Sequence, residues 1–164
     1  WPMEEVAALG DVQLYQEDVE LLKPGKWLND QIIAFLFECV STLPADQHAR
    51  YFTHELFEDE RFCFVCPATV FFLAHCQEED EVLKSAIAPL RLKERDLIFL
   101  PINNNTALDS VGGSHWALLI FSRKFGFVFY DSMGTTNLEN AKLVCRTTSS
   151  LLDLPRRFFP RLRS

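Results

Sequence analysis

The sequence predicts an α+β fold whose central sheet is mostly antiparallel. Apolar segments of strand-like composition follow one another closely between residues 96 and 130, whereas helical spacing of apolar residues lies mainly before and after them. Strands and helices therefore occur in runs and do not alternate as they do in a doubly wound sheet. No internal repeat or low-complexity linker interrupts residues 1–164, so we expect a single domain.

The first half of the chain is predicted to contain short strands followed by helices. Val12–Leu22 alternates loosely between apolar and polar residues, which favours one or two short strands. Asn29 or Asp30 can cap the helix that follows, because apolar side chains then recur every three or four residues until the chain approaches Pro44. We further expect a strand over 62–66, a helix over 68–76 with Pro67 in its first turn, and a helix over 79–90.

The second half is predicted to form three strands and a final helix. The strands are Asp96–Ile102, Trp116–Phe121 and Phe125–Tyr130, and the helix is Leu138–Leu152. The last two strands form a hairpin, because only the short polar segment 122–124 separates them.

This hairpin allows a geometric argument about two polar residues at its open end. Pairing outward from Arg123 places His115 directly opposite Asp131 on the same face, with Cβ atoms about 4.5–5.5 Å apart. A carboxylate beside an imidazole fixes the tautomer, stabilises the imidazolium and leaves the second ring nitrogen to act as a base. The hairpin alone leaves both a structural pair and a catalytic pair open.

The composition narrows the classes of function. Twenty-three acidic residues against sixteen basic ones give a net charge of −7, which argues against general nucleic-acid binding. No run of about eighteen apolar residues and no basic-then-apolar leader is present, so we expect neither a membrane span nor a secretory signal. Five cysteines at irregular spacing predict free thiols in a reducing compartment.

The cysteines also raise the question of a metal site. Cys63 and Cys66, with His75 and Cys76 nearby, invite a zinc interpretation. In a strand, however, residues 63 and 66 point to opposite faces, and no second cysteine pair follows. We therefore expect no metal, and we interpret Cys145 as a buried residue of the last helix.

Three motifs together resemble the ubiquitin-like-protein-specific (sentrin/SUMO-specific) cysteine proteases. They lie at residues 27–30 (Trp-Leu-Asn-Asp), 112–116 (Gly-Gly-Ser-His-Trp) and 130–132 (Tyr-Asp-Ser), and the segment 102–105 adds to the likeness. The likeness runs from about Val12 to about Leu152 and is strongest to the deneddylating members. It implies a papain-like fold, incomplete at the C-terminus of this chain.

The resemblance also implies a function and a site. Such proteases use a Cys–His–Asp triad to cleave after the terminal Gly-Gly of a ubiquitin-like modifier, so His115 would be the base and Asp131 its orienting carboxylate. Trp27 and Trp116 would clamp the diglycine, although by themselves both could be core aromatics. The other implied substrate contacts are Asn29, Asp30, Asn103, Asn104 and Asn105.

The expected partner is a ubiquitin-like modifier, the neddylation modifier first and SUMO as the alternative, with no cofactor, nucleic acid or membrane involved. The protein is expected to be a cytoplasmic or nuclear monomer.

The chain departs from this family in one respect. The family carries its nucleophile and an oxyanion-hole glutamine downstream of the aspartate, in a Gln-x-x-x-Asp-Cys-Gly segment that does not occur after Asp131. We therefore expect the chain as given not to cleave, and its basic tail 155–164 to be disordered or non-native. Two alternatives stay open, a module that binds the modifier without cutting it and a structural protein with a coincidental His–Asp hairpin.

Overall fold

The computed structural model describes residues 4–42, 62–76, 80–106, 113–155 and 161–163. The chain divides into two compact units, residues 1–59 and residues 60–164, although no change of composition marks this boundary in the sequence. The single domain expected from the sequence stays a prediction. In the described ranges, none of the helices has the length and apolar character needed to cross a bilayer.

In the first unit the described residues, 4–42, form a small antiparallel hairpin and two helices. The hairpin is formed by β1 (Glu5–Leu9) and β2 (Val12–Tyr15), and the helices are α1 (Gln16–Glu20) and α2 (Asp30–Thr42). The strand character predicted for Val12–Leu22 is therefore wrong beyond Tyr15. The chain turns into α1 there because the Tyr15 N–H donates to Oδ2 of Asp18 at 2.9 Å, which caps the helix.

The helix predicted after Asn29 is confirmed as α2. Oδ1 of Asn29 accepts the N–H of Ile32 at 3.0 Å, so Asn29 supplies the cap that the sequence predicted. Apolar side chains of one face are buried in this unit, namely Ile32, Ala34 and Val40.

The second unit is built on a five-stranded sheet with the order β3–β4–β5–β6–β7. The strands are β3 (Phe62–Phe64), β4 (Leu97–Asn103), β5 (Trp116–Ser122), β6 (Gly126–Tyr130) and β7 (Arg161–Arg163). The two pairs at the centre, β4–β5 and β5–β6, are antiparallel, whereas both edge strands pair in parallel. The predicted α+β class with an antiparallel-rich sheet is confirmed.

The register of the β5–β6 hairpin differs from the prediction. Ser122 pairs with Gly126 and Leu118 with Tyr130, so the turn is centred on Lys124 and each partner moves by two positions. The reason is Gly126, whose φ of +77° closes a three-residue loop and leaves Phe125 in the turn instead of in the strand. A displacement by two residues keeps every side chain on its predicted face.

The described residues of the second unit also form three α-helices. They are α3 (Pro67–His75), α4 (Glu81–Ile87) and α5 (Leu138–Leu151). Pro67 occupies the first turn of α3 as predicted, and α4 is shorter than predicted because a 3₁₀ turn that contains Pro89 follows Ile87. Alternate residues of β4, β5 and β6 are buried with α3 and α5 in one core, including Ile98, Leu100, Ile102, Leu119, Phe121, Phe127 and Phe129.

The basic tail is only partly described. Residues 161–163 form β7, which pairs in parallel with β6, and the disordered or non-native character expected for residues 155–164 stays a prediction. The open edge of β6 offers unpaired backbone groups, and an Arg-Leu-Arg segment can satisfy them through its backbone whatever its side chains are. Residues 156–160 and 164 lie outside the described part.

Candidate active site

His115 and Asp131 meet at the open end of the β5–β6 hairpin. His115 immediately precedes β5, Asp131 immediately follows β6, and both are 5% exposed. Nε2 of His115 lies 2.5 Å from Oδ1 of Asp131. Among the described residues Nδ1 makes no hydrogen bond, so it is the nitrogen left for proton transfer.

The Asp131 carboxylate is held as an anion by three donors. Its Oδ1 also accepts the N–H of Met133 at 2.9 Å, and its Oδ2 accepts the N–H of Asn137 at 3.1 Å. Burial raises the pKa of Asp131, but the hydrogen bonds from Asn137, His115 and Met133 outweigh it, so the pKa lies below its ordinary value. A carboxylate that stays ionised can stabilise an imidazolium beside it.

The loop 103–105 supports the histidine. Oδ1 of Asn104 accepts the N–H of Ser114 at 2.8 Å and the N–H of His115 at 3.2 Å, and the Asn104 N–H donates to the His115 carbonyl at 3.3 Å. Oδ1 of Asn103 accepts the N–H of Asn105 at 2.7 Å. These asparagines thus fix the backbone on both sides of His115, while their predicted contact with substrate stays a prediction.

Two asparagines that the sequence did not single out also belong to the site. Asn137, directly before α5, donates from Nδ2 to the carbonyls of Ile102 at 2.8 Å and His115 at 3.1 Å. Asn140 donates from Nδ2 to the carbonyls of Asn103 at 2.8 Å and of Asn105 at 3.0 Å. The only signal in the sequence is that Asn137 precedes a predicted helix, which points to a cap and not to a buried amide.

The remaining predicted substrate residues lie in both units. Trp116 is half-buried at the start of β5 in the second unit, whereas Trp27 is exposed in the first. In the first unit Asp30 is exposed. Both polar atoms of the Asn29 amide are hydrogen-bonded, because its Oδ1 caps α2 and its Nδ2 donates to Asp18 at 2.6 Å. The clamping of the diglycine by Trp27 and Trp116, and the substrate contacts of Asn29 and Asp30, stay predictions.

No cysteine of the chain is bonded to His115 among the described residues. Burial raises the pKa of the Cys63 and Cys145 thiols to about 11, so about one molecule in 10⁴ carries either thiolate at pH 7. Burial also raises the pKa of Cys39 and Cys76, while Cys66 is exposed. Within the described ranges, no group of three His, Cys, Asp or Glu residues is arranged to hold a metal ion.

The fold of the chain is that of the Ulp1-type SUMO proteases. The C-terminal Ulp1 protease domain, solved in complex with Smt3, the yeast ortholog of SUMO, has a TM-score of 0.62 and 16% identity, covering 100% of this chain and 67% of that one. Ulp1 with its catalytic cysteine oxidised to a sulfonic acid has a TM-score of 0.60 and 20% identity, covering 97% and 66%. No protein-family model matches the chain.

Comparison of sequences finds relatives of higher identity than the comparison of folds does. Sentrin-specific protease 8 of Mus musculus is 34% identical over 145 residues, which are 87% of this chain and 59% of that protein. NEDD8-specific protease 1 of Arabidopsis thaliana is 28% identical over 148 residues, 89% of this chain and 59% of that protein. The chain is thus a homologue of sentrin-specific protease 8 and of NEDD8-specific proteases, which confirms the resemblance seen in the motifs. It spans about 60% of the length of these relatives.

Gly113, two residues before His115, gives a first testable prediction. Gly113 has φ +98°, and a Cβ there would lie 1.7 Å from Oδ1 of Asn103. We expect Gly113→Ala to lower the free energy of unfolding by about 2–3 kcal/mol in urea titrations, because strain and a clash add. Gly134→Ala is the control, since Gly134 has φ +79° but nothing within 4 Å, and should cost about 1 kcal/mol. Equal losses would contradict the packing described here.

The anion at Asp131 gives a second prediction, on pH dependence. Its pKa is lower in the folded chain than the ordinary 3.8, so the unfolded chain binds more protons between the two values. This contribution to stability is complete above about pH 5 and is lost as the pH falls through 3.8 towards the folded value. In urea titrations from pH 2.5 to 6, the free energy of unfolding of Asp131→Asn should fall less steeply with acid than that of the wild type. Parallel pH curves for the two proteins would contradict the lowered pKa of Asp131.

Proposed function

We propose that the chain is the part of a cysteine isopeptidase that carries the general base and its orienting carboxylate. The observation that carries this proposal is the hydrogen bond from Nε2 of His115 to Asp131, which leaves Nδ1 as the working nitrogen. Homology to proteases named for sentrin and for NEDD8 supports a ubiquitin-like modifier as the substrate, with the neddylation modifier ahead of SUMO.

In this proposal the nucleophile comes from the portion of the relatives' length that this chain does not span. Nδ1 of His115 takes the proton of a cysteine thiol, and Asp131 stabilises the resulting imidazolium. The thiolate attacks the carbonyl carbon of the modifier's terminal glycine, and oxyanion donors stabilise the tetrahedral intermediate. His115 then protonates the departing lysine amine as the C–N bond breaks. Water, deprotonated by His115, hydrolyses the thioester, and the proton returns to sulfur.

Selection for glycine would come from the two indoles. In this proposal Trp27 and Trp116 each contact the bound tail, and aromatic rings against the tail exclude any side chain larger than hydrogen, which is a steric device of specificity. The loop 103–105 would contact the same tail, since its asparagines lie beside His115 through the Asn104 hydrogen bonds.

A second candidate function is binding of the modifier without cleavage. Its support is that Cys63 and Cys145 are buried thiols with a pKa of about 11 and that no described hydrogen bond joins a cysteine to His115. A chain with the base and the recognition residues, but without a thiolate at the base, would retain a modifier and release it unchanged.

A modifier that ends in a cysteine-reactive electrophile distinguishes these candidates. We expect the 164-residue chain to retain this probe reversibly, and a longer protein that includes the downstream segment to form a covalent adduct on that segment's cysteine. The matched control is the same probe with its terminal Gly-Gly replaced by Ala-Ala, which neither protein should retain. An adduct on Cys63 or Cys145, or equal retention of both probes, would contradict the proposal.

A further inference from the structure

We propose that Asn137 is a positioning residue that holds His115 and Asp131 in register with each other. This inference rests on the proposed function of that pair. Asn137 contacts both members at once, because its N–H donates to Oδ2 of Asp131 while its Nδ2 donates to the carbonyl of His115. No other described residue is shown to bond to both the carboxylate and the histidine backbone. The backbone ladder of the hairpin ends at the pair of Leu118 with Tyr130, and beyond it the imidazole contacts the carboxylate directly.

The chemistry of the Asn137 contacts requires an amide in one orientation. The two hydrogens of Nδ2 point at the carbonyl oxygens of Ile102 and His115, at 2.8 and 3.1 Å. Turning the amide over would bring Oδ1 against two acceptors, so the observed orientation is fixed by its partners. Asn137 is 1% exposed, and its Oδ1 has no hydrogen-bond partner among the described residues. The side chain therefore keeps its place through its two donor contacts.

Asn137 is anchored by the buried helix that follows it. α5 begins at Leu138, and its Ala141 and Val144 are buried in the core of the second unit. The N–H of Asn137 lies at the N-terminal end of this helix, where partial positive charge favours a carboxylate. Asp131 is thereby tied to the helix, and His115 is tied to the same point through its carbonyl. The separation of the ring from the carboxylate is thus set by one buried residue.

A neighbouring residue offers a matched comparison. Asn140, one turn further along α5, also donates two hydrogen bonds from Nδ2 to backbone carbonyls, those of Asn103 and Asn105. It contacts neither His115 nor Asp131 in the described hydrogen bonds. Alanine at either position removes two side-chain hydrogen bonds to backbone carbonyls, but only Asn137→Ala removes a bond to His115 itself.

The test is the exchange rate of the His115 Nε2 proton, measured by NMR on the ¹⁵N-histidine-labelled 164-residue chain. In the wild type we expect this proton to give a downfield, slowly exchanging signal, because it is buried and bonded to Asp131. Asn137→Ala should speed its exchange about tenfold and move the signal upfield. Asn140→Ala loosens the loop 103–105 but removes no bond to His115 itself, so it should change both much less. Asn137→Asp, which places a carboxylate against two carbonyls, should have the larger effect.

Circular dichroism confirms folding of each variant, and Asn137→Ser gives the same measurement if the alanine variant does not fold. Equal behaviour of Asn137→Ala and Asn140→Ala would overturn the positioning role, as would a wild type without a protected Nε2 proton. The measurement uses no modifier. A chain that passes it but does not retain the modifier would therefore refute the proposed function and leave the positioning role standing.

Discussion

His115→Ala is expected to lower kcat for the proposed cleavage after a modifier's terminal glycine by about 10⁴- to 10⁶-fold, in a longer protein that includes the downstream segment. In the proposed mechanism the imidazole takes the thiol proton and returns it to the leaving amine, because Nε2 is held by Asp131 and Nδ1 makes no hydrogen bond among the described residues. KM should change little, since the buried ring offers little surface for the modifier. Single-turnover cleavage of a modifier–lysine conjugate measures the effect.

His75→Ala is the control for this substitution. His75 lies on α3 with its ring against Phe71, at 4.4 Å between ring centroids, and the mechanism gives it no task. We expect its kcat to equal that of the wild type. A His115→Ala protein that retains wild-type kcat would show that the His–Asp pair is structural.

Asp131→Ala is expected to be the most destabilising single substitution at the site, at about 2–4 kcal/mol in the free energy of unfolding. The carboxylate accepts from His115, Met133 and Asn137, and its removal leaves the buried donors of His115 and Asn137 without their acceptor. Urea titration at pH 7 measures the loss. Asp131→Asn should cost less, because an amide oxygen still accepts from one or two of them.

Glu94→Ala is the matched surface substitution. Glu94 pairs with Arg91, and both side chains are more than half exposed, so its loss should cost less than about 1 kcal/mol. If Asp131→Ala cost no more than Glu94→Ala, the hydrogen bonds to the carboxylate would not be formed in solution.

The meeting of His115 and Asp131 could be predicted from the sequence even though the register was wrong. A side chain changes face only when the register shifts by an odd number of residues. The observed shift by two positions therefore keeps His115 and Asp131 on the same face. The position of the turn could not be predicted in the same way. Phe125 looks like a strand residue, and only the left-handed backbone of Gly126 excludes it from the strand.

The support around the pair could not be predicted from local patterns. Asn137 and Asn140 contact residues 22 to 37 positions away in the chain, and a buried amide has no periodicity that distinguishes it from a helix cap. In the first unit the same limit applies to Asn29, whose amide bonds both α2 and Asp18. Such contacts depend on where the elements pack, which the pattern of apolar residues does not determine.

In the proposed mechanism His115 presents Nδ1 to a nucleophile while Asp131 holds Nε2. A crystal structure of the full-length protein, joined covalently to a modifier with an electrophilic terminus, tests it most directly. We predict that the reacted sulfur lies within about 4 Å of Nδ1, with Nε2 still on the Asp131 carboxylate. A reacted sulfur beside Nε2, or one remote from the imidazole, would contradict the claim.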